Sequence, residues 1–328
     1  MNILFSIEHP AHVHFFKYVI WELQKNKKNN IVVVAFDKDI TIDLLNSFKI
    51  EHINLKSYGK SLLAKGFKMP FISLRLAYIG LKYKIDIFAG ISIFAAQAAF
   101  LIRKKGYVFT DTEHATEQIA LFKPFATKIL TPQCFIKDLG KKHVRYDGFH
   151  ELAYLHPNCF KPKLSVLEDL GLTKNDKFFV LRFVSWDASH DIGQKGISFN
   201  TKVKLIQLLK SHGKIIISSE SELPSEFEEF RMNICSTKMH DLLSYATLFI
   251  GEGATMASEC VMLGTPAVYV NSLNMGYLIE QEILGLLYSM RTDVGLIELV
   301  GQLLKENDLK NNRLKFLRKK RHFRIKKM

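Results

Sequence analysis

The chain has 328 residues, 48% of them hydrophobic and 24% charged, which is enough apolar material for about two packed domains and too much for a disordered chain. Lys and Arg number 46 against 32 Asp and Glu, a formal charge of +14, and the segment RLKFLRKKRHFRIKKM (313–328) carries nine basic residues and no acid. Four cysteines (Cys134, Cys159, Cys235, Cys260) form no CxxC pair, which argues against a zinc site or a disulfide framework and for a reducing compartment.

Met1 leads straight into the apolar run NILFSI (2–7) without the basic, apolar and small-residue segments of a secretory signal, so a cytoplasmic protein is expected. A helical stretch over 13–27 follows, then IVVVAF (31–36), a helix over 39–48, HINL (52–55), IDIFAG (85–90), a helix over 93–105, YVFTD (107–111) and KILTP (128–132). Strands alternating with helices in this way predict a doubly wound parallel sheet. The longest uncharged run, between Asp86 and Arg103, contains Gly90, Ser92 and Gln97, falls short of the about 20 apolar residues that span a bilayer, and is predicted to be a strand plus a buried helix. Around 148–163, Gly148, Pro157 and Pro162 break the periodicity and mark a join. Beyond it, FFVLRFVSW (178–186), a helix over 198–211, IIISSE (215–220), a helix over 239–246, LFIGE (248–252), a helix over 254–263 and AVYV (267–270) predict a second domain of the same class. The expected organisation is a Rossmann-like domain over 1–152, another over 153–308 and a basic tail over 309–328, with ligand held between the two domains outside the carboxyl ends of the strands.

The loop after the first strand, SIEHPAHVHFF, holds Glu8, His9, His12 and His14, with three histidines in six residues. An imidazole has an unperturbed pKa of about 6.5 and can take a proton from a hydroxyl; His12 is the favoured base and His9 its rival. Two other uses stay open: metal ligation together with Glu113 and His114, and capping of the first helix. Asp111, Glu113 and His114 follow the strand YVFTD, where a carboxylate can orient a histidine or bind hydroxyls. Alternatively, Asp111 and Glu113 form a hydrolytic pair, which needs a separation of about 5–9 Å.

In the second half, Arg182 can give two parallel hydrogen bonds to phosphate oxygens, or pair with an interior acid. The following loop brings Ser185, His190 and Asp191, while Ser218, Ser219 and Glu220 end the next strand, and His240 and Asp241 lie beyond it. The segment GEGATMASE (251–259) places glycines before a helix whose free amides at Gly253, Ala254 and Thr255 suit a diphosphate; the small Ser258 and the carboxylate of Glu259 suit a ribose. The competing reading is a strand-helix-strand packing unit whose glycines serve tight turns only.

Three other signals fail. Tyr58-Gly59-Lys60-Ser61 has the ending of a P-loop but Asn54 at the first glycine position, no GxGxxG follows the first strand, and Asp37-Lys38-Asp39 is expected to be a solvated turn.

Gly253-Ala254 followed by Ser258-Glu259, Gly264 and Pro266 resembles the donor-nucleotide segment of GT-B glycosyltransferases, an architecture shared by UDP-GlcNAc 2-epimerases. Six blocks in order, HPAHVHFFK (9–17), TDTEHA (110–115), YLHPNCFKP (154–162), LRFVSWDASHD (181–191), ISSE (217–220) and GEGATMASE (251–259), resemble the DUF354 family of GT-B-like proteins. The resemblance implies an α/β, GT-B-like fold of two Rossmann-like domains and a metal-independent sugar transfer from a nucleotide donor, UDP-linked by expectation, to a cell-envelope glycan or lipid-linked precursor. A UDP-sugar 2-epimerase and a non-enzymatic nucleotide- or glycan-binding protein are the alternatives. His12 matches the place of the histidine that ends the GGH loop of the peptidoglycan glycosyltransferase, although Pro10 and Ala11 replace its glycines. No cofactor is expected beyond the nucleotide sugar as co-substrate. The tail, with Leu314, Phe316, Leu317, Phe323 and Ile325 among its basic residues, suits the anionic inner face of the plasma membrane at about 1 kcal/mol per basic residue; a solvated tail is the second reading and nucleic acid the least favoured.

Overall fold

A computed structural model describes residues 1–38, 40–55, 62–184, 196–219 and 222–306, with 62–68 described by backbone alone. The chain divides into two compact units, Met1–Tyr154 and Leu155–Met328.

The first unit runs β1 (Asn2–Ile7), α1 (Pro10–Lys25), β2 (Asn30–Phe36), α2 (Thr41–Ser47), β3 (Ile53–Leu55), α3 (Leu62–Lys82), β4 (Ile87–Gly90), α4 (Ile93–Leu101), β5 (Lys105–Phe109), α5 (Thr116–Phe122), β6 (Lys128–Pro132) and β7 (His143–Tyr146). Its seven strands lie in the order β3-β2-β1-β4-β5-β6-β7, all parallel. Alternation within the strands clothes both faces. Leu4, Val32, Val34 and Phe36 pack with Leu76 of α3 and Ala95 and Ala99 of α4. Ile3, Phe5, Ile7 and Val33 pack with Val13, Phe16 and Ile20 of α1 and Leu44 of α2.

Helix α1 starts three residues before the predicted position, because Pro10 has the fixed φ that suits a first helical residue and the His9 side chain accepts the Ala11 N–H as a cap. Helix α4 is the buried apolar helix expected from the uncharged run. Helix α3 and strand β7 were not among the expected elements. Tyr58-Gly59-Lys60-Ser61 and Asp39 lie outside the described residues.

From the end of the first unit the chain continues through the short α6 (Leu152–Leu155) and α7 (Ser165–Glu168) to β8 (Phe178–Phe183), α8 (Phe199–Lys210), β9 (Lys214–Ser219), α9 (Met239–Tyr245), β10 (Leu248–Gly251), α10 (Ala254–Leu263), β11 (Ala267–Val270), α11 (Gly276–Ile283), β12 (Tyr288–Met290) and α12 (Leu296–Lys305). The second sheet has the order β12-β11-β10-β8-β9, again all parallel. Leu181, Ile217, Ile250 and Val268 meet Leu205 and Leu209 of α8 and Val300 and Leu303 of α12 on one face. Gly264 ends α10 at φ 77°, a left-handed position that frees the chain to enter β11.

Packing of α4 on the first sheet requires a residue without a side chain at Gly106, where an added Cβ would stand 3.0 Å from Ala99 Cβ and 3.2 Å from Ala96 Cα. Gly106→Ala is expected to cost about 1–3 kcal/mol, read as a lower urea midpoint at unchanged slope. An unmoved midpoint would show that α4 shifts without penalty.

Candidate functional site

Because the first sheet is all parallel, every carboxyl end lies on one edge. Glu8, His9 and His12 follow β1, Lys38 follows β2, Ser92 follows β4, Asp111 and Thr112 follow β5, and His150 follows β7. The strand order reverses between β1 and β4, the switch point at which open α/β sheets leave a crevice. Glu8 bridges that point: Ser6 Oγ donates to Glu8 Oε1 at 3.0 Å, and Ser92 Oγ donates to the same oxygen. Burial pushes the Glu8 carboxyl up to about 7, against the opposing pull of both hydroxyls and of Lys38.

The histidines separate by partner. His9 is exposed and caps α1. His14 is buried beside Lys17 (Nζ to Nδ1 3.3 Å) and packs against Phe48 and Tyr154, which makes it part of the core. His12 Nδ1 accepts the backbone N–H of Glu8 at 3.3 Å. An amide nitrogen has only a proton to offer, so in the neutral ring of His12 the proton sits on Nε2. Burial first, then the like charges of His9, Lys38 and His150, hold this imidazole well below its ordinary range, with Asp111 pulling the other way. His12, the expected proton acceptor, thus has its Nδ1 engaged by the Glu8 amide and offers Nε2 as a donor in the neutral ring.

Asp111 has a partner that the sequence did not offer. Its Oδ2 lies 2.9 Å from Nδ1 of His150, and its Oδ1 accepts the Thr112 hydroxyl at 2.9 Å. Burial works to raise the Asp111 carboxyl, but the charge and hydrogen bond of His150 and the bond from Thr112 outweigh it and hold the group below the usual range. His150 is 8% exposed, and its Nε2 has no hydrogen-bond partner among the described residues. The Tyr146 ring stacks on it (centroids 6.0 Å, planes 11° apart) and Phe15 leans on it at 4.6 Å. The Tyr146 hydroxyl is likewise buried and unpartnered among the described residues, and burial first, then the charges of Asp111 and Glu151, raise its pKa.

Glu113 serves elsewhere. Its Oε1 accepts the Ile136 N–H at 3.1 Å and its carbonyl accepts Lys137 Nζ at 2.8 Å, anchoring the loop after β6. One member of the hydrolytic pair is thus committed to structure. His114 is half-buried in the turn before α5. Among the described residues no group of three or more His, Cys, Asp or Glu is arranged to hold a metal ion.

In the second unit the strand order reverses between β8 and β10, and the residues around Arg182 and Gly251–Gly253 stand at that point. An added Cβ at Gly251 would meet Arg182 Cβ at 2.8 Å and its backbone oxygen at 3.0 Å, so this glycine serves close strand approach. Gly253 is the N-cap of α10 with no side-chain bond to the first turn, and its missing Cβ would lie 3.4 Å from Arg182 Cγ. The helix start, with Ala254 half-buried and Thr255 exposed, therefore lies beside an arginine whose Nη1 donates to Ser218 Oγ at 2.6 Å.

Two expectations for α10 change. Ser258 has no exposed surface and accepts Gln281 Nε2 at 2.6 Å, so it pins α10 to α11. Glu259 Oε1 lies 2.9 Å from His240 Nε2, and the imidazole packs edge-on against Phe160; the carboxylate expected to hold a ribose is held by a histidine of α9. Asp241 caps the backbone of Lys163 at 2.8 Å.

Glu252, 1% exposed, is the residue whose role the sequence concealed. It accepts the N–H of Val184 at 2.9 Å and of Ile197 at 2.7 Å and lies 3.4 Å from Lys202 Nζ, so it ties together the two ends of segment 185–195. Ser185, His190, Asp191 and Glu220 lie outside the described residues, as does the basic tail.

The family described as protein of unknown function (DUF354) matches residues 1–318. No curated protein matches the chain. Among solved structures, UDP-GlcNAc 2-epimerase from Neisseria meningitidis bound to UDP-GlcNAc is similar at TM-score 0.63 and 13% identity, over 98% of this chain and 100% of that one. The Methanocaldococcus jannaschii UDP-GlcNAc 2-epimerase in complex with UDP-GlcNAc and UDP gives 0.64 and 11%, over 97% and 99%. Spinosyn rhamnosyltransferase SpnG complexed with spinosyn aglycone gives 0.58 and 10%, over 96% and 95%. At these identities the likeness establishes the GT-B-like α/β fold.

Two outcomes are expected. Glu252→Ala strands two amides and an ammonium, and should lower stability by about 2–4 kcal/mol in urea unfolding; an unchanged midpoint would remove its tying role. For Glu8, whose folded value is raised from 4.5 to about 7, the unfolded chain ionises first. Stability relative to Glu8→Gln is then full below pH 4.5 and falls by about 3 kcal/mol as pH rises through 7. A difference that does not vary with pH would place Glu8 in solvent.

Proposed function

We propose that this chain, which belongs to the DUF354 family, is an enzyme of nucleotide-linked sugars that transfers the sugar from a UDP-linked donor to a hydroxyl of a cell-envelope glycan or a lipid-linked precursor. The observation that carries the reading is the uncapped start of α10 beside Arg182 at the switch point of the second sheet. First-turn amides and the positive end of the helix dipole favour a diphosphate, and a guanidinium alongside stabilises the charge that grows on it as the sugar leaves. Neither contribution needs a metal ion. Gly253, Ala254 and Thr255 would hold the phosphates and Glu259, through whatever its bond to His240 leaves available, the ribose.

The GT-B-like fold supports this reading, since the similar structures include proteins described with UDP, with UDP-GlcNAc and with an aglycone. Similarity to the epimerases is the higher of the two, so epimerisation at C2 of a UDP-sugar is the second reading. The two separate chemically. Inversion at C2 breaks a C2–H bond, so product formed in D2O carries deuterium there and no acceptor is consumed; transfer to a hydroxyl leaves C2 untouched and releases UDP. No helix among the described residues is long and apolar enough to cross a membrane, and the basic tail is proposed to hold the enzyme on the anionic cytoplasmic leaflet.

Calorimetric titration with UDP, GDP, ADP and CMP tests the donor site. One nucleotide should bind saturably, and Arg182→Ala should weaken it by about 10–100-fold through loss of a charge-assisted phosphate contact. Absence of binding by all four would overturn the reading.

A further inference from the structure

Helix α3 is apolar on two opposite faces, and only one of them is packed. Ile72, Leu76, Ala77 and Ile79 are buried in the first unit's core with Leu4 and Val34 of the sheet and Ala95 of α4. On the other face Phe71, Leu74, Tyr78 and Leu81 are 71%, 54%, 66% and 63% exposed. Steps of three and four residues put all four on one stripe of an α-helix. Exposed apolar side chains that stand singly are ordinary, but four large ones in a continuous stripe mark an interaction surface. Helix α4 packs beside α3, with Ser73 Oγ donating to Gln97 Oε1 at 2.7 Å, and it ends on two further exposed apolar residues, Phe100 and Leu101.

The charge around the stripe selects its partner. Between Glu51 and Asp86 the chain carries seven Lys or Arg and no acid. Arg75 and Lys82 are exposed on α3 along one side of the stripe, and Arg103 and Lys105 are exposed just after Leu101. Asp86, the first acid beyond the helix, is paired with Lys104 at 3.2 Å and does not offset them. We propose that this face of α3 lies on a lipid bilayer rich in anionic headgroups, with Phe71, Leu74, Tyr78 and Leu81 entering the interface and Arg75 and Lys82 at the headgroup phosphates. This contact is separate from the basic tail, and it does not depend on the reading of the protein as a sugar transferase.

The physical requirements of an interfacial helix are met here. Such a helix needs an apolar stripe, basic residues beside it and an aromatic ring with a polar end, which Tyr78 supplies. It lies along the surface: no helix among the described residues is long and apolar enough to cross a membrane, and the packed face of α3 belongs to the protein core. A second copy of the chain is the competing occupant. Two such faces related by a twofold axis would bring Arg75 and Lys82 of both copies together, with no acid on α3 to pair them, and like charges across an interface oppose association. A negatively charged bilayer attracts the same residues.

Two measurements on the full chain test the assignment. In the first, Tyr78→Trp is mixed with vesicles of phosphatidylcholine and phosphatidylglycerol whose acyl chains carry bromine, which quenches an indole only at close approach. The added indole should be quenched and blue-shifted beyond the signal that Trp21 and Trp186 give in wild type, and it should be neither with phosphatidylcholine alone. Quenching no greater than in wild type would mean that the chain is held by its tail alone or not at all, and overturns the proposal. The second measurement is co-sedimentation with unbrominated vesicles of the same lipids. The triple variant Phe71→Ser, Leu74→Ser, Leu81→Ser and the double variant Arg75→Glu, Lys82→Glu should each lose about tenfold or more in partition at an unchanged urea midpoint, because the substituted side chains are exposed. Full partition by the triple variant overturns the proposal. Sedimentation equilibrium without lipid reads the rival: a wild-type dimer that the triple variant turns into a monomer would assign the face to a second copy instead. Failure of wild type to bind any nucleotide would overturn the functional reading and leave the quenching result to decide this surface.

Discussion

Parallel pairing throughout both sheets is the constraint on which the candidate site depends. It brings the carboxyl end of each strand to one edge, so loops far apart in sequence deliver their side chains to one neighbourhood. In the first unit this gathers Glu8, Ser92, Asp111 and His150 from four separate loops. In the second it brings Arg182 of β8 beside Gly251 and Gly253 at the end of β10, and the strands approach so closely that a side chain at Gly251 would collide with Arg182. Buried sheets need helices on both faces, and the same helices fix where each loop begins.

Four buried or half-buried carboxylates show how environment divides chemically equal groups. Glu8, held by two hydroxyls at the switch point, keeps its proton to about neutrality because burial outweighs the bonds. Asp111 is also buried, yet an imidazole and a hydroxyl leave it ionised at lower pH than usual. Glu252 satisfies two amides and a lysine, and ties Val184 to Ile197. Glu259 is paired to His240. For Glu8 burial outweighs two hydroxyls and the charge of Lys38, whereas for Asp111 the bonds from His150 and Thr112 outweigh burial.

The histidines follow the same logic through their second nitrogen. His9, His12, His14 and His150 have the same intrinsic chemistry, but one caps a helix, one takes an amide proton, one lies against a buried lysine and one faces a carboxylate. Which nitrogen is bare is decided by what the other one touches. Histidines concentrate in HPAHVH after β1, while His150, whose Nε2 is buried without a hydrogen-bond partner among the described residues, lies in the segment after β7.

Alternating apolar strands and helices made the α/β class and the parallel sheets legible, because burial on both faces imposes a periodicity that a single chain cannot hide. The motif GEGATMASE likewise marked the end of a strand and an uncapped helix start, since those are local backbone requirements. Strand β7 has only four residues, its side chains half-buried or exposed, and carries no such pattern, so the loop that follows it and His150 within that loop went unrecognised. Composition could not tell Ser258, which bonds α11, from a ligand contact, nor Glu252 from a solvent-facing acid beside it. By itself the sequence determined most of the strands and helices, α3 and β7 excepted, and where glycine permits a turn. Only the tertiary structure decided the partners of Asp111, Glu252, Glu259 and His12, because a hydrogen bond depends on what stands within about 3 Å in space, and spacing along the chain does not encode that.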